Sequence, residues 1–318
     1  FYLFLLTHLF LWTIIPSLSN TNLPLDTIEA LAWGSNLDWG YYKHPPFSAF
    51  AVEIFYTIFG NNDWAYYLLS QIFVITALYF VWQFSYMILE DKLYSLLAVL
   101  ILSSISFYNY KTPEFNVNVS QLPFWAISVY LFWRGLNFNK RIDWILFGVI
   151  SAVGFLSKYL FIYILLSLFI FFILHIKKYS RSIKNYLLSI IISLGLLTPH
   201  FIWLLDNNFI TIFYGLNRSG FTDYYLINHL KYPLVFLLKQ IIVLIPFFIM
   251  IFVIIKKIKI RINTNDKKTL FLIFINFIPI LLMLMTSVLA GTKIRTMWMM
   301  PFYLFLGVLF IYIFQSQI

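Results

Sequence analysis

The chain lacks cysteine and contains few charged residues. Without cysteine it forms neither structural disulfides nor thiolate zinc sites. Only 11% of its 318 residues are charged, whereas an ordinary soluble domain has about 25%. In contrast, 62% of the residues are hydrophobic and the mean hydropathy is +0.86. A single water-soluble core of this size does not bury so much apolar surface, so the composition excludes an ordinary soluble fold.

Long apolar runs define the fold class. Runs of about 20 apolar residues recur along the chain, and this is the length that crosses a bilayer as a helix. The alternating segments of about ten residues that form membrane β-barrels do not occur. We therefore predict an all-α integral membrane protein, a multi-spanning helical bundle. The predicted spans are 1–19, 64–88, 93–108, 118–134, 142–156, 159–176, 186–205, 232–255, 269–289 and 297–315.

Basic residues set the predicted orientation. With the N-terminus in the cytoplasm, most of the 22 Lys and Arg residues fall in inner loops, as the positive-inside rule requires. Runs such as Lys256–Arg261 are then cytoplasmic anchors, and the net charge of +10 does not indicate a nucleic-acid partner. Most acidic residues instead fall in the outer segments: Asp26, Glu29, Asp38, Glu53, Asp63, Glu114, Asp206 and Asp223. Polar chemistry is therefore expected on the non-cytoplasmic side.

The longest polar interruption, at 20–63, contains two closely spaced carboxylates. Asp26 and Glu29 lie three residues apart, so on a short helix they share one face. A catalytic pair is one interpretation of this spacing. The other is structural, with Asp26 as a helix N-cap and Glu29 completing a capping box.

A stiff polar segment follows these acids. Tyr42, Lys43 and His44 precede two prolines, whose fixed φ angles restrict the backbone. Lys43 can also be explained by snorkelling to the headgroups, and His44 by an ordinary hydrogen bond within the loop. The stretch 47–60 is apolar but short, and we predict an interfacial helix that lies along the membrane surface.

Cations recur at the same predicted membrane face. They are Lys43, Lys158, Arg218, Lys293 and Arg295, and His200 lies near the outer end of the span at 186–205. Each cation alone is explained by snorkelling. Together with the clustered carboxylates they favour a site for an anionic headgroup, where cations bind phosphate and stabilise departing charge.

Several segments, in this order along the chain, resemble motifs of a known family. They are Asp26 with Glu29, Gly40 to Pro46, Phe115 to Asn118, Leu156 to Tyr159, Pro199 to Leu204 and Arg295 to Pro301. The family is that of the GT-C membrane glycosyltransferases, specifically the bacterial glycosyltransferase family 39-like relatives of dolichyl-phosphate-mannose–protein mannosyltransferases and ArnT-like enzymes. The resemblance extends over essentially the whole chain.

The resemblance implies a fold, an activity and a set of site residues. Periplasmic interfacial helices of the first outer loop would cap a helical bundle in the bacterial inner membrane. A sugar would pass, with inversion, from a polyprenyl-phosphate donor to a periplasmic acceptor, either lipid A, another glycolipid or a protein. The resemblance implies Asp26 as the catalytic carboxylate, with Lys43 and His44 close to the donor phosphate or a metal. From this resemblance and the polar residues of the outer loops, we predict Asp26 and Glu29 as catalytic residues. The predicted donor-phosphate or substrate-binding residues are Tyr42, Lys43, His44, Lys158, His200, Arg218, Lys293 and Arg295.

Two departures from the family pattern bear on the cofactor. ArnT-like members have an acidic residue beside the first Asp, where this chain has Thr27. Lys43 stands where those members have the Glu of a Glu-Lys-Pro segment. A divalent metal is the one cofactor left open, and a metal site carried by that glutamate is not expected here.

We predict that residues 1–318 form one transmembrane catalytic domain. The chain begins with Phe1 and stops at Ile318 within an apolar run, so we expect a fragment, with any C-terminal periplasmic domain outside it. The alternative function is a multi-spanning lipid or glycolipid transporter or flippase, which predicts ionisable groups in mid-span. Such candidates are few, chiefly Lys239 and His8. A polymerase or ligase for lipid-linked glycans would instead centre on a large loop later in the chain.

Overall fold

The computed structural model describes residues 1–220, 225–256, 263 and 265–318. Within these ranges the chain is helical and forms no β-strand, in agreement with the predicted all-α class. The α-helices are α1 Tyr2–Ser19, α2 Leu25–Gly34, α3 Phe47–Phe59, α4 Asp63–Leu89, α5 Lys92–Leu102, α6 Val117–Phe138, α7 Arg141–Ser157, α8 Ile162–Leu174, α9 Ile183–Asp206, α10 Ile210–Arg218, α11 Asn228–Ile254, α12 Lys267–Ala290 and α13 Leu306–Phe314. The 3₁₀ segments are Ser106–Tyr108, Tyr159–Phe161, Ser180–Ser182, Thr296–Tyr303 and Gln315–Gln317. Asp223 and the basic segment 257–262 lie outside the described residues.

Among the described residues, five helices are long and apolar enough to cross a membrane, namely α1, α4, α9, α11 and α12. The 3₁₀ segment Thr296–Tyr303 and the following helix form a sixth span if their 47° bend lies within one crossing. The chain is therefore a multi-pass helical membrane protein. The remaining predicted spans coincide with α5, α6, α7 and α8, which are shorter or less apolar. The count of ten spans accordingly stays a prediction.

The predicted span at 93–108 is interrupted, because α5 ends before Ser103. The hydroxyl of Ser103 donates to the carbonyl of Val99 at 3.0 Å, and that of Ser104 donates to the carbonyl of Ile101 at 2.7 Å. Serine side chains that bond to nearby backbone carbonyls compete with helix continuation. The chain consequently turns here instead of completing a straight helix of that length.

Aromatic side chains fill the core between the helices. Helix α4 packs against α1, α5 and α6, α6 packs against α7, and α7 packs against α9; α8 and α11 pack against α12. The largest fully buried side chains include Trp125, Trp144, Tyr66, Tyr108 and Phe132. Many apolar side chains of α9 and α11 are exposed instead, as expected of helix faces that contact lipid.

The first outer loop contains α2 and α3. Helix α2 begins at Leu25, and its N-cap position is Pro24, whose side chain makes no capping hydrogen bond. The interpretation of Asp26 as an N-cap is therefore wrong. Its carboxylate lies in the first turn, where the peptide dipoles favour negative charge. Helix α3 occupies the predicted stretch 47–60 and ends at Gly60 with φ 63°; its placement along the membrane surface stays a prediction.

Candidate functional site

A cavity of about 450 Å³ lies between α2, the segment 43–45, α10 and the turns that follow α7 and α12. We refer to it as the first cavity. Eight of the ten residues named from the sequence line it: Asp26, Glu29, Lys43, His44, Lys158, Arg218, Lys293 and Arg295. They come from widely separated parts of the chain, and the fold brings them to one cavity.

The two carboxylates of α2 have different partners. Glu29 forms an ion pair with the ammonium of Lys43, and this contact raises the pKa of Lys43. Asp26 forms no ion pair with any residue that the structure describes. Burial raises the pKa of the Asp26 carboxyl, and the neighbouring Glu29 raises it further, against the attraction of nearby cations. Asp26 is therefore the carboxylate of this cavity that is open to a ligand.

Lys158 is a buried cation in the wall of the first cavity. It lies at the break between α7 and the 3₁₀ segment that follows, in an extended backbone conformation with φ −164° and ψ 135°. Its ammonium donates to Oδ1 of Asn118 and lies 5.4 Å from the ring centre of Trp298. Burial lowers the pKa of Lys158 to about 7, with the attraction of Asp26 opposing and the repulsion of Arg295 adding to this effect. An anion that enters the cavity would stabilise the charged form.

His44 is a neutral group in the same cavity. Burial, together with repulsion from Lys158 and Lys43, lowers the pKa of His44 to about 3. Its ring lies edge-on to Trp33 at 5.9 Å between ring centres. At physiological pH the imidazole is uncharged, so it contacts a ligand through hydrogen bonds.

The segment that carries Lys43 and His44 is fixed by contacts to α2, α9 and α10. The ring of Tyr41 stacks on Trp33 at 5.4 Å, and its carbonyl accepts a hydrogen bond from Thr211 Oγ1 at 2.6 Å. The backbone at Gly40 lies directly against Trp203, so a Cβ atom there would overlap the indole ring. Only glycine allows this close approach.

Two residues named from the sequence do not line the first cavity. Tyr42 is exposed, and its ring contacts Tyr214 of the cavity wall at 4.9 Å. His200 is fully buried, with Nδ1 2.5 Å from the carbonyl oxygen of Trp39 and Nε2 2.9 Å from Oη of Tyr159. A carbonyl only accepts, so Nδ1 carries the hydrogen and Nε2 accepts from the tyrosine hydroxyl. Both ring nitrogens of His200 are therefore hydrogen-bonded within the protein, and the bond from Nδ1 fixes the first outer loop at Trp39.

A second cavity of about 730 Å³ adjoins the first. The two share Arg218, Lys293 and Arg295 in their walls. Glu114 and Lys239 line the second cavity but not the first. In the sequence, Glu114 is an acidic residue of an outer turn and Lys239 is a lysine within a predicted span. The lysine was a detectable signal, because an ionisable residue in a spanning helix is usually functional. Its neighbours in space were not detectable from the sequence.

The donor groups of the first cavity do not fit a divalent metal ion. Among the residues that the structure describes, no group of three or more His, Cys, Asp and Glu side chains is placed to hold one. Glu29 is already engaged by Lys43, and a fixed ammonium beside a carboxylate opposes cation binding there. We therefore derive no step through a metal.

A family model described as dolichyl-phosphate-mannose-protein mannosyltransferase matches residues 43–203, slightly more than half of the chain. No curated protein matches the chain in sequence.

Among solved structures, the chain is similar to ArnT from Cupriavidus metallidurans, whose crystal structure was determined bound to undecaprenyl phosphate. The TM-score is 0.72 at 12% sequence identity, with 97% of this chain and 59% of the ArnT chain covered. The chain thus spans about three-fifths of the ArnT length, and identity this low shows the fold alone. By its family match the chain belongs to the dolichyl-phosphate-mannose–protein mannosyltransferase family, and it has the GT-C membrane fold of ArnT.

Proposed function

We propose that the chain is a glycosyltransferase that moves a sugar, with inversion, from a polyprenyl-phosphate donor to an acceptor on the non-cytoplasmic side of the bacterial inner membrane. The observation that carries this proposal is the first cavity itself. Within one space of about 450 Å³ it combines five Lys and Arg side chains with one unpaired carboxylate, Asp26. This arrangement suits a substrate that has an anionic leaving group and a carbon that develops positive charge.

The first cavity is lined by both charged and apolar side chains, which match the two parts of such a donor. Lys158, Arg218 and Arg295 are the cations to which a phosphate would bind. Apolar side chains from the helices α8, α10 and α12 also line the cavity. They include Tyr163, Ile212, Leu216, Met283 and Ala290. These apolar side chains suit the first isoprene units, whose burial contributes roughly 25 cal/mol for each Å² of apolar surface.

The chemistry follows from the charges. When the bond between the anomeric carbon and the phosphate oxygen breaks, the departing phosphate gains charge, and the fixed cations stabilise it. The sugar meanwhile develops positive charge, which a carboxylate stabilises. We assign this role to Asp26, because Glu29 is neutralised by Lys43. Lys43 would then hold Glu29 in place and add positive potential near the donor phosphate.

A transport function is supported by no observation as specific as this cavity. A flippase would need ionisable groups along a path through the spans. The His8 ring is instead bonded at Nε2 to the carbonyl of Tyr108, 2.8 Å away, and it is buried in the core. Lys239 lies beside the charged wall of the second cavity, next to the proposed donor site.

The test is a transfer assay with the protein in nanodiscs and a panel of radiolabelled undecaprenyl-phosphate sugars. The Asp26→Asn variant should lose transfer by more than about 100-fold, the order of effect seen when charge stabilisation is removed. Asp63→Asn is the matched control, because Asp63 is exposed in the first turn of α4, away from the cavity. Near-wild-type transfer by Asp26→Asn would refute the assignment of Asp26.

A further inference from the structure

The second cavity adjoins the first across a wall of cations. Arg218, Lys293 and Arg295 line both cavities, as does Asn118. Molecules bound in the two cavities would therefore be able to approach each other at this shared wall. The second cavity is also the larger, at about 730 Å³, which is within the usual size range of ligand sites.

The cationic side chains that line the second cavity outnumber the acidic ones. Beyond the shared wall it is lined by Lys111 and Lys239, and its one acidic side chain is Glu114. Neither lysine forms an ion pair with a carboxylate that the structure describes. Lys239 lies near the middle of α11, one of the helices that can span the membrane. A lysine at such a position is costly unless it faces a cavity or a partner, so an anion is the expected occupant.

The same cavity also has an apolar side. Phe107, Val243, Met297 and Met300 contribute to its wall. A ligand that satisfies both sides has an anionic group and an apolar part, which describes an amphiphile. The depth of Lys239 along α11 favours a membrane lipid over a peptide, because a lipid already occupies that depth of the bilayer.

Glu114 is held in a defined position at this cavity. Thr112, two residues before Glu114, is fully buried and accepts a hydrogen bond from Gln71 Nε2 at 3.1 Å. Asn116 Nδ2 donates to Oε2 of Glu114 at 3.3 Å, while Oδ1 of the same asparagine caps α6. The Glu114 carboxylate also accepts a hydrogen bond from the backbone N–H of Asp26. Burial and the charge of Asp26 raise the pKa of Glu114, against these hydrogen bonds and the attraction of Lys111. A carboxylate in such surroundings is a stronger base than one in water.

We propose that the second cavity is the acceptor site, that it binds an anionic lipid carrying a free hydroxyl group, and that Glu114 is the base for that hydroxyl. This inference rests on the proposed glycosyl transfer. Lys111 and Lys239 bind the anionic group of the acceptor, and Glu114 faces its hydroxyl.

The transfer step is balanced as follows. The hydroxyl proton moves to the Glu114 carboxylate, and the acceptor oxygen forms a bond to the anomeric carbon of the sugar. The bond from that carbon to the phosphate oxygen breaks, and its electron pair leaves with the polyprenyl phosphate. The cations of the shared wall stabilise the new charge on this phosphate. The glycosylated lipid departs, and Glu114 returns its proton to water.

The experiment uses the protein in phosphatidylcholine nanodiscs with radiolabelled undecaprenyl-phosphate sugars as donors. Three acceptor lipids separate the chemical requirements. Phosphatidylglycerol has a phosphate and free alcohol hydroxyls. Diacylglycerol has an alcohol hydroxyl but no charge, and phosphatidic acid has a phosphate but no alcohol hydroxyl. We expect labelling of phosphatidylglycerol at least about tenfold faster than of either other lipid, a difference that corresponds to about 1.4 kcal/mol. Equal labelling of phosphatidic acid would overturn the hydroxyl assignment, and equal labelling of diacylglycerol would overturn the role of the anion.

Variants of the second cavity test the assigned residues. Glu114→Gln should slow transfer to phosphatidylglycerol by about 10²- to 10⁴-fold, as for loss of a general base, while undecaprenyl phosphate still binds normally. Lys239→Gln should raise the KM for phosphatidylglycerol about tenfold and raise the KM for diacylglycerol, which has no anionic group, by less than about twofold. Lys231→Gln is the matched control on α11, since Lys231 is exposed and lines neither cavity. Unchanged kinetics in Glu114→Gln would refute Glu114 as the base.

Failure of this inference is distinguishable from failure of the proposed function. If undecaprenyl phosphate binds and sugar is released from a donor in an Asp26-dependent way, but no lipid of the three is labelled, the acceptor assignment is overturned and the donor site stands. If undecaprenyl phosphate, the part that all such donors share, does not bind at all, the proposed function itself is overturned.

Discussion

The ammonium of Lys43 pairs with the carboxylate of Glu29, fourteen residues earlier in the chain. This contact joins the Tyr-Tyr-Lys-His-Pro-Pro segment to α2, and it divides the two acids of that helix into a neutralised one and an open one. Both side chains of the pair are about one-third exposed, so the contact contributes little to stability. Its effect is on the charge that a donor meets in the first cavity.

The first prediction concerns this ion pair. Lys43→Gln should lower kcat/KM for transfer, because it leaves the Glu29 charge unpaired beside the donor phosphate. The double variant Lys43→Gln/Glu29→Gln should be more active than Lys43→Gln alone, since it removes that uncompensated charge. Transfer rates at a single pH, with Glu29→Gln measured alongside, give the coupling between the two residues. A double variant no better than Lys43→Gln would show that the pair does not act through charge.

The second prediction concerns the pH dependence of donor binding through Lys158. In the free protein the pKa of Lys158 lies at about 7, so the side chain loses its charge as the pH rises above that value. Donor binding favours the charged form, and the bound protein therefore holds more protons than the free protein above pH 7. Affinity for an undecaprenyl-phosphate sugar, a diester whose charge is constant in this range, should fall by up to about tenfold per pH unit between 7 and 9.

The variant Lys158→Arg tests whether the pH dependence comes from titration of the Lys158 ammonium, because it keeps the positive charge. In Lys158→Arg the side chain stays charged over the whole range, so the affinity should become nearly independent of pH between 7 and 9. Asp26 and Arg295 face Lys158 from α2 and from the turn after α12, and neither substitution at position 158 changes them. A wild-type affinity that is flat over this range, or a slope that survives in Lys158→Arg, would contradict the prediction.

The first cavity was accessible to sequence reasoning because its chemistry stands out against an apolar chain. Asp26 lies in the longest polar interruption of the sequence, and the cation Lys158 lies in a short break between two apolar runs. The positive-inside rule places both segments on the same side of the membrane. A common site on that side was therefore a reasonable expectation.

The contacts that depend on long-range packing were not accessible. His200 follows a proline near the end of α9, and the sequence does not show which face of that helix it occupies. Glu114 is a single acid in a short turn, and Lys239, which lines the same cavity, lies 125 positions later in α11. The early end of α5 at Ser103 depends on side-chain hydrogen bonds that periodicity does not detect.

The third prediction separates a loop-holding histidine from a substrate-binding one. His200→Phe removes the hydrogen bonds to the carbonyl of Trp39 and the hydroxyl of Tyr159. We expect unfolding to become easier by about 1 to 3 kcal/mol, since these buried groups lose their partner. Trp203→Phe should act in the same way, because the Trp203 indole donates to Oδ2 of Asp38 at 2.7 Å in the same loop. The measurement is thermal unfolding in one detergent, together with binding of undecaprenyl phosphate. Loss of binding in His200→Phe with an unchanged melting temperature would instead indicate direct contact with substrate.

The last prediction concerns the dependence of transfer on metal ions. Lys43 lines the first cavity together with Asp26 and Glu29 and pairs with Glu29, so an ammonium stands beside these two carboxylates in place of a third oxygen ligand. We therefore expect EDTA to leave transfer by the wild-type protein unchanged within about twofold. Lys43→Glu replaces the ammonium with a third carboxylate, which should create affinity for Mn²⁺ because hard cations prefer oxygen ligands. Manganese bound by this variant, and not by Lys43→Gln, can be measured by elemental analysis of purified protein. Loss of wild-type transfer in EDTA, with recovery on adding a divalent ion, would show that the cavity uses a metal in spite of its lysine.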